Sequence, residues 1–174
     1  MGETDTVAKT LEINDVLVQM ALDGLSDDDL LKQPNPESNP IGWLLWHMTR
    51  TEDNIISRFS DASTVWARDK WFDRIPAPGG PEDGGVGNTL EQVRTFRASK
   101  ADLLAYAGEV RANTLSVLSA ISPEALEREV PDPPLPMIQK EKDFLAILLV
   151  DYSHHSGQIC YMRGYLTGPG WFPM

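Results

Sequence analysis

FLAILLVDYSHHSGQICYMRGYL, residues 144–166, is the stretch that decides the fold. With Phe144 set at 0° and about 100° added per residue, Leu148 falls at about 40°, Met162 at about 0° and Leu166 at about 40°. That is one apolar stripe on a long helix, and the Gly168-Pro169 pair ends it. Working outward, the same period recurs in Val7, Leu11, Ile13, Val16, Leu17, Met20 and Leu22, and again in Ile41, Leu44, Leu45, Met48, Ile55 and Phe59. A fourth helix is expected after the capping box Thr89-Leu90-Glu91-Gln92, running through Val93, Phe96, Leu103, Leu104, Val110, Thr114 and Leu118 to Ser122-Pro123. Four amphipathic helices without a convincing strand predict an all-α four-helix bundle with long crossover loops.

Between the helices lie three irregular segments. Pro34, Pro36 and Pro40 bound a polar loop, and Pro131, Pro133, Pro134 and Pro136 form another. Residues 60–88 carry Trp66, Trp71 and Phe72, whose rings are expected to dock. The Gly/Pro-rich section 76–88 offers few apolar anchors and is expected to be mobile. A faint repeat relates Leu22-x-x-Leu25-Ser26-x-x-x-Leu30 to Leu118-x-x-Ile121-Ser122-x-x-x-Leu126, which suggests two helix–turn–helix hairpins packed face to face.

The length of 174 residues suits a single domain, 1–174, able to bury its own core. With 15 Lys and Arg against 26 Asp and Glu, the formal charge is −11, which argues against nucleic acid or an anionic membrane as partner. One cysteine excludes an intramolecular disulfide and a Cys-rich zinc module. No apolar run reaches the roughly 18 residues of a membrane span, and the acidic start lacks a signal-peptide pattern, so a cytoplasmic location is expected.

Two residues interrupt the apolar stripe of the last helix. Asp151 falls at about −20° and His155 at about 20°, one turn apart and both facing inward, whereas His154 lies on the flank at about −80°. A buried carboxylate needs a partner. An ion held by both side chains is one solution, and simple pairing of the two with each other or with an arginine is the other. His47, in the second helix, is the third histidine. It could complete a set of two imidazoles and a carboxylate with positions left open. His47 sits at the edge of its own stripe, whose centre is about 110° away, so it is expected to face a groove between helices. Trp43 and Trp46 flank it; Trp46 reads as core packing. Arg50 and Arg163 could hold carboxylates or pair with surface acids, and Gln158 could orient a ligand. Glu52-Asp53 reads as a solvated helix face, and Cys160 as an inert buried thiol.

NPIGWLLWHMTRTED, residues 39–53, together with HSGQICYMRG, residues 155–164, resembles the DinB superfamily, and within it an actinobacterial branch of uncharacterised or mycothiol-dependent proteins. The resemblance implies a DinB-type four-helix bundle, commonly a homodimer. It also implies a divalent metal, zinc first with nickel or iron as alternatives, held by His47, Asp151 and His155. The family commonly has histidine where Asp151 stands, although its maleylpyruvate isomerases have an acidic ligand there. The implied function is transfer of a mycothiol-like thiol cosubstrate to a small electrophile, with Trp43, Arg50, Gln158 and Arg163 as candidate substrate contacts. The alternative is a non-catalytic metal-binding or stress-associated bundle.

Overall fold

The computed structural model describes residues 2–172 and holds eight α-helices. Four are long: α1 (Glu3–Leu22), α3 (Ile41–Ser57), α6 (Lys100–Ala120) and α8 (Glu141–Thr167). Four are short: α2 (Asp27–Leu30), α4 (Val65–Arg68), α5 (Leu90–Thr95) and α7 (Pro123–Glu127). A single 3₁₀ turn spans Trp71–Asp73. Among the described residues there is no strand, only an isolated antiparallel bridge between Glu129 and Lys140.

The long helices form the expected bundle. Its principal contacts run α1–α8, α8–α3, α3–α6 and α6–α1, so α1 faces α3 across one diagonal and α6 faces α8 across the other. The suspected repeat has a counterpart in structure: Ser26 accepts the Asp29 N–H at the start of α2, and Ser122 accepts the Ala125 N–H at the start of α7. The halves nevertheless interleave. The two long helices of each half stand across the bundle from one another instead of forming a hairpin, because the Pro-rich loops after α2 and α7 are long enough to carry the chain across an end.

The long helix expected from Thr89 to Ser122 is broken. Thr89 caps α5 with the reciprocal Gln92 contact, but Phe96 turns extended (φ −59°, ψ 127°) and Ser99 caps a new helix through the Asp102 N–H. Phe96 is fully buried at this corner, its ring centroid 5.3 Å from that of Trp46. Burying Phe96 and recapping at Ser99 outweigh continuing the backbone ladder through four residues.

Helix α3 is the axis of the molecule. Residues 41–50 are all buried, so its first ten residues have no solvent face; Asn54, further along, is exposed. That stretch, which buries His47, Thr49 and Arg50 among its apolar residues, must be covered on every side. Helices α6 and α8 cover two sides, and the connection 58–99 wraps a third by docking Trp66 on Trp46 and Arg50, while Trp71 packs on Tyr106 of α6; each indole is 2% exposed. This wrapping overturns the solvated reading of Glu52-Asp53. Asp53 is fully buried and accepts the N–H groups of Val65 and Trp66 (2.9 and 2.8 Å) and the Tyr106 hydroxyl (2.9 Å). Glu52 receives both Nε and Nη2 of Arg111 at 2.8 Å, and Arg111 Nη1 also reaches Asp15 at 2.6 Å. One guanidinium thus ties α1, α3 and α6 together.

Candidate metal centre

His47 projects from the middle of α3 toward α8, where Asp151 and His155 lie one turn apart on the facing side. His47 Nε2 stands 3.7 Å and His155 Nε2 3.5 Å from the same oxygen, Asp151 Oδ1. The two imidazoles meet edge to face, centroids 5.0 Å apart at 83°. One donor atom from each residue lies within 4.8 Å of the others, a group that could hold a metal ion. His154, as the helical angle predicts, is exposed and outside the cluster.

Hydrogen bonding settles which nitrogens point inward. His47 Nδ1 lies 2.5 Å from the Gly84 carbonyl and His155 Nδ1 lies 2.8 Å from Gln158 Oε1. The Gly84 carbonyl only accepts, so His47 Nδ1 carries a proton and its Nε2 faces Asp151; the Gln158 amide holds His155 by Nδ1 and likewise leaves its Nε2 facing Asp151. The fit to a divalent ion rests on this donor set and on one further atom. Asp151 Oδ2 is buried with no hydrogen-bond partner, a vacancy in its bonding that a cation would fill. Burial pushes the Asp151 carboxyl up, but His155 and His47, which carry protons on both nitrogens in acid, prevail and bring it down to about 2. Burial likewise opposes charge on His155, and Asp151 and Gln158 reverse that, raising its pKa. The side chains of His47, Asp151 and His155 are 8%, 20% and 18% exposed, so the cluster is reached from one side.

The remaining sequence candidates separate. Trp43 stacks on His47 (centroids 4.9 Å, 12°) and donates its indole N–H to Asn88 Oδ1, so it walls His47 in. Trp46 is fully buried in the core. Gln158 holds His155 and also lines a groove of about 320 Å³ with Leu44, Asn39, Glu37 and Tyr161. Arg163 donates to the Asp23 carbonyl on α1's C-cap. Arg50 is buried, lies 4.5 Å over the Trp66 ring and donates through Nε to the Asp83 carbonyl. Each arginine thus gives one nitrogen to a backbone carbonyl, while Arg50 Nη1 and Arg163 Nε are buried without a hydrogen-bond partner. Cys160 is half-buried, and burial raises its thiol pKa, which suits an unreactive group. A larger surface groove, about 610 Å³ between Trp71, Arg74 and Glu109, shares no residue with the cluster.

Sequence reasoning missed the loop over His47. Section 76–88, read as lacking anchors, is pinned by polar ones. Asp83 accepts the N–H of Gly79 and of Gly85 (2.8 Å each) and the Asn88 amide (3.1 Å), while Trp66 donates to the Pro81 carbonyl at 2.6 Å. Gly85 (φ 92°) presses against the site so closely that a Cβ there would lie 2.7 Å from His47 Nδ1. The Gly84-Gly85 pair was the available signal, since glycine is needed wherever backbone approaches a side chain this closely.

Comparison with known proteins agrees with this architecture. Residues 11–159 match the family model described as the DinB superfamily. A conserved protein from Enterococcus faecalis, solved by crystallography, is 25% identical and superposes with a TM-score of 0.85 over 97% of this chain and 99% of its own. No curated protein is significantly similar.

Proposed function

We propose, from the premise that the chain belongs to the DinB superfamily, that it is a divalent-metal-dependent enzyme transferring a low-molecular-weight thiol of the mycothiol kind to a small electrophile. The observation that carries the reading is the convergence of two Nε2 atoms on a carboxylate whose second oxygen has no partner. A divalent ion bound there supplies the charge that lowers a thiol's pKa and yields thiolate near neutral pH. The protein's part is to hold both imidazoles with Nε2 turned inward, and to offer three donors, a number that leaves a coordination position open. Asp151 contributes a single negative charge, less than a divalent ion carries, so the site retains attraction for an anionic sulfur. The groove beside Gln158 offers Glu37, Asn39 and Tyr161 to the polar body of a thiol cosubstrate and Leu44 to an apolar electrophile. Zinc is the expected metal, since two imidazoles and a carboxylate suit it, with nickel or iron as alternatives.

Metal analysis of the purified protein, joined to a conjugation assay with mycothiol and a panel of electrophiles, tests this. Stoichiometric metal and metal-dependent conjugation are the expected result. Bound metal without conjugation would leave a bundle in which the ion only clamps α3 to α8. A homodimer is part of the proposal, supported by apolar side chains exposed on α1 (Ile13, Val16) and α8 (Val150, Tyr161, Tyr165). Light scattering of the pure protein measures it.

A further inference from the structure

The loop over His47 contains a carboxylate that never touches the imidazole yet reaches it through a single peptide unit. Asp83 Oδ1 accepts the N–H of Gly85 at 2.8 Å, and the carbonyl on the other side of that peptide bond, Gly84 C=O, accepts the Nδ1–H of His47. In a trans peptide the C=O and N–H point in opposite directions, so one plane can join a carboxylate on one side to an imidazole on the other. Donation to a carboxylate polarises the amide and enriches its carbonyl oxygen, which then binds the imidazole N–H more strongly and makes Nε2 a better donor. Directly hydrogen-bonded carboxylates do this for many metal-ligating histidines. Here the carboxylate acts at one remove.

Everything around Asp83 keeps it in that role. Its two oxygens take four hydrogen bonds, from Gly79 N, Gly85 N and the Asn88 amide on each oxygen. Asn88 in turn accepts from Trp43, which stacks on the His47 ring, so a second route from Asp83 ends on the same imidazole. Buried Arg50 draws the Asp83 carbonyl inward at 3.2 Å. Gly79 and Gly85 are both required: a Cβ at Gly79 would lie 2.9 Å from the Asp83 carboxylate, and one at Gly85 would meet His47, Trp43 and Trp46.

We propose that Asp83 is a positioning residue for His47, acting through the Gly84–Gly85 peptide to fix the imidazole as the Nδ1–H tautomer and to strengthen Nε2 as a metal donor. This rests on the metal-centre reading for its affinity consequence but not for the tautomer, so the two can fail separately. The test combines nitrogen NMR of the metal-free protein at about pH 8 with zinc titration of wild type, Asp83→Asn and Gly85→Ala. Wild-type His47 is expected to carry its proton on Nδ1 alone. Asp83→Asn keeps the size but lacks the charge, and is expected to mix the tautomers and weaken zinc binding roughly 10- to 100-fold, the range typical of such outer partners. Gly85→Ala, which displaces the loop without altering any polar group, is expected to do the same. A wild-type His47 protonated on Nε2 overturns the proposal even if every variant misfolds. So does Asp83→Asn with an unchanged His47 signal and zinc affinity within twofold. Wild type that binds no zinc but shows a single Nδ1–H tautomer, lost in Asp83→Asn, upholds the relay and refutes the metal reading.

Discussion

Asp151 has no cationic partner other than the two histidines, since no arginine or lysine pairs with it. Removing it from the metal-free protein therefore strands no arginine or lysine. Asp151→Leu is expected to abolish bound metal while the metal-free thermal midpoint moves by only a few degrees. Asp151→His is expected to retain or raise zinc affinity, because an imidazole suits zinc at the same spot on the stripe. Metal content and midpoint measured on both variants check this; a large fall in stability with metal content unchanged contradicts the ligand assignment. The pH dependence follows from the same residues. Asp151's lowered carboxyl stabilises the fold above its unfolded value of 3.8, and that contribution is lost as pH falls toward about 2. His155's raised pKa contributes below its unfolded value of 6.5, a contribution lost as pH rises through the higher folded value. The pair thus favours the metal-free fold most between about pH 4 and 6.5. Metal binding runs the other way, because it needs both imidazoles deprotonated. Melting curves across pH 5.5–8.5 should show the gain from added zinc widening as pH rises, reaching about 5–10 °C at a hundredfold excess over Kd.

Among the elements, α3 depends most on its neighbours, and its ion pair with α6 is the sharpest point of dependence. Glu52 is 1% exposed and bound at both oxygens by Arg111, which also reaches Asp15. Arg111→Met leaves Glu52 buried and unpaired, whereas Glu52→Gln leaves Arg111 partly compensated by Asp15. The first is expected to cost about 3–5 kcal/mol and the second less. In a chain of this size the larger loss lowers the thermal midpoint by about 6–20 °C. A denaturation series on both single variants and the double variant Glu52→Leu/Arg111→Met measures it, with the double variant expected to recover part of the loss because no charge is then left alone. The same reasoning explains why Glu52-Asp53 looks solvated in sequence. Two adjacent acids at the end of an apolar helix usually face water, and the partners that bury them lie 12 to 59 positions away.

At the scale of the molecule, a metal at this site would join α3 to α8, adjacent helices far apart in the chain. Zinc is therefore expected to slow amide exchange in both helices near His47 and His155 while leaving α1 and α6 close to the metal-free rate; uniform slowing of all four would point to a global effect instead.

The sequence by itself determined the helices and the inward residues. Period and capping are local, so residues 144–166 read as one helix with Asp151 and His155 a turn apart on one side and His154 off it, although the stripe actually buried runs through Leu145, Leu148, Tyr152, Ser156, Ile159 and Met162 and leaves Asp151 and His155 half-buried at its edge. It also determined the capped turns at Ser26 and Ser122, whose hydrogen bonds span three residues. Only the tertiary structure decided the break at Phe96, the diagonal arrangement of the halves, and the company of His47. In each case the deciding contact joins residues distant in the chain: Phe96 against Trp46, Arg111 on Glu52, the Gly84 carbonyl on His47 Nδ1. A helical wheel shows which way a side chain points; it holds nothing about which backbone, folding back dozens of residues later, comes to rest upon it.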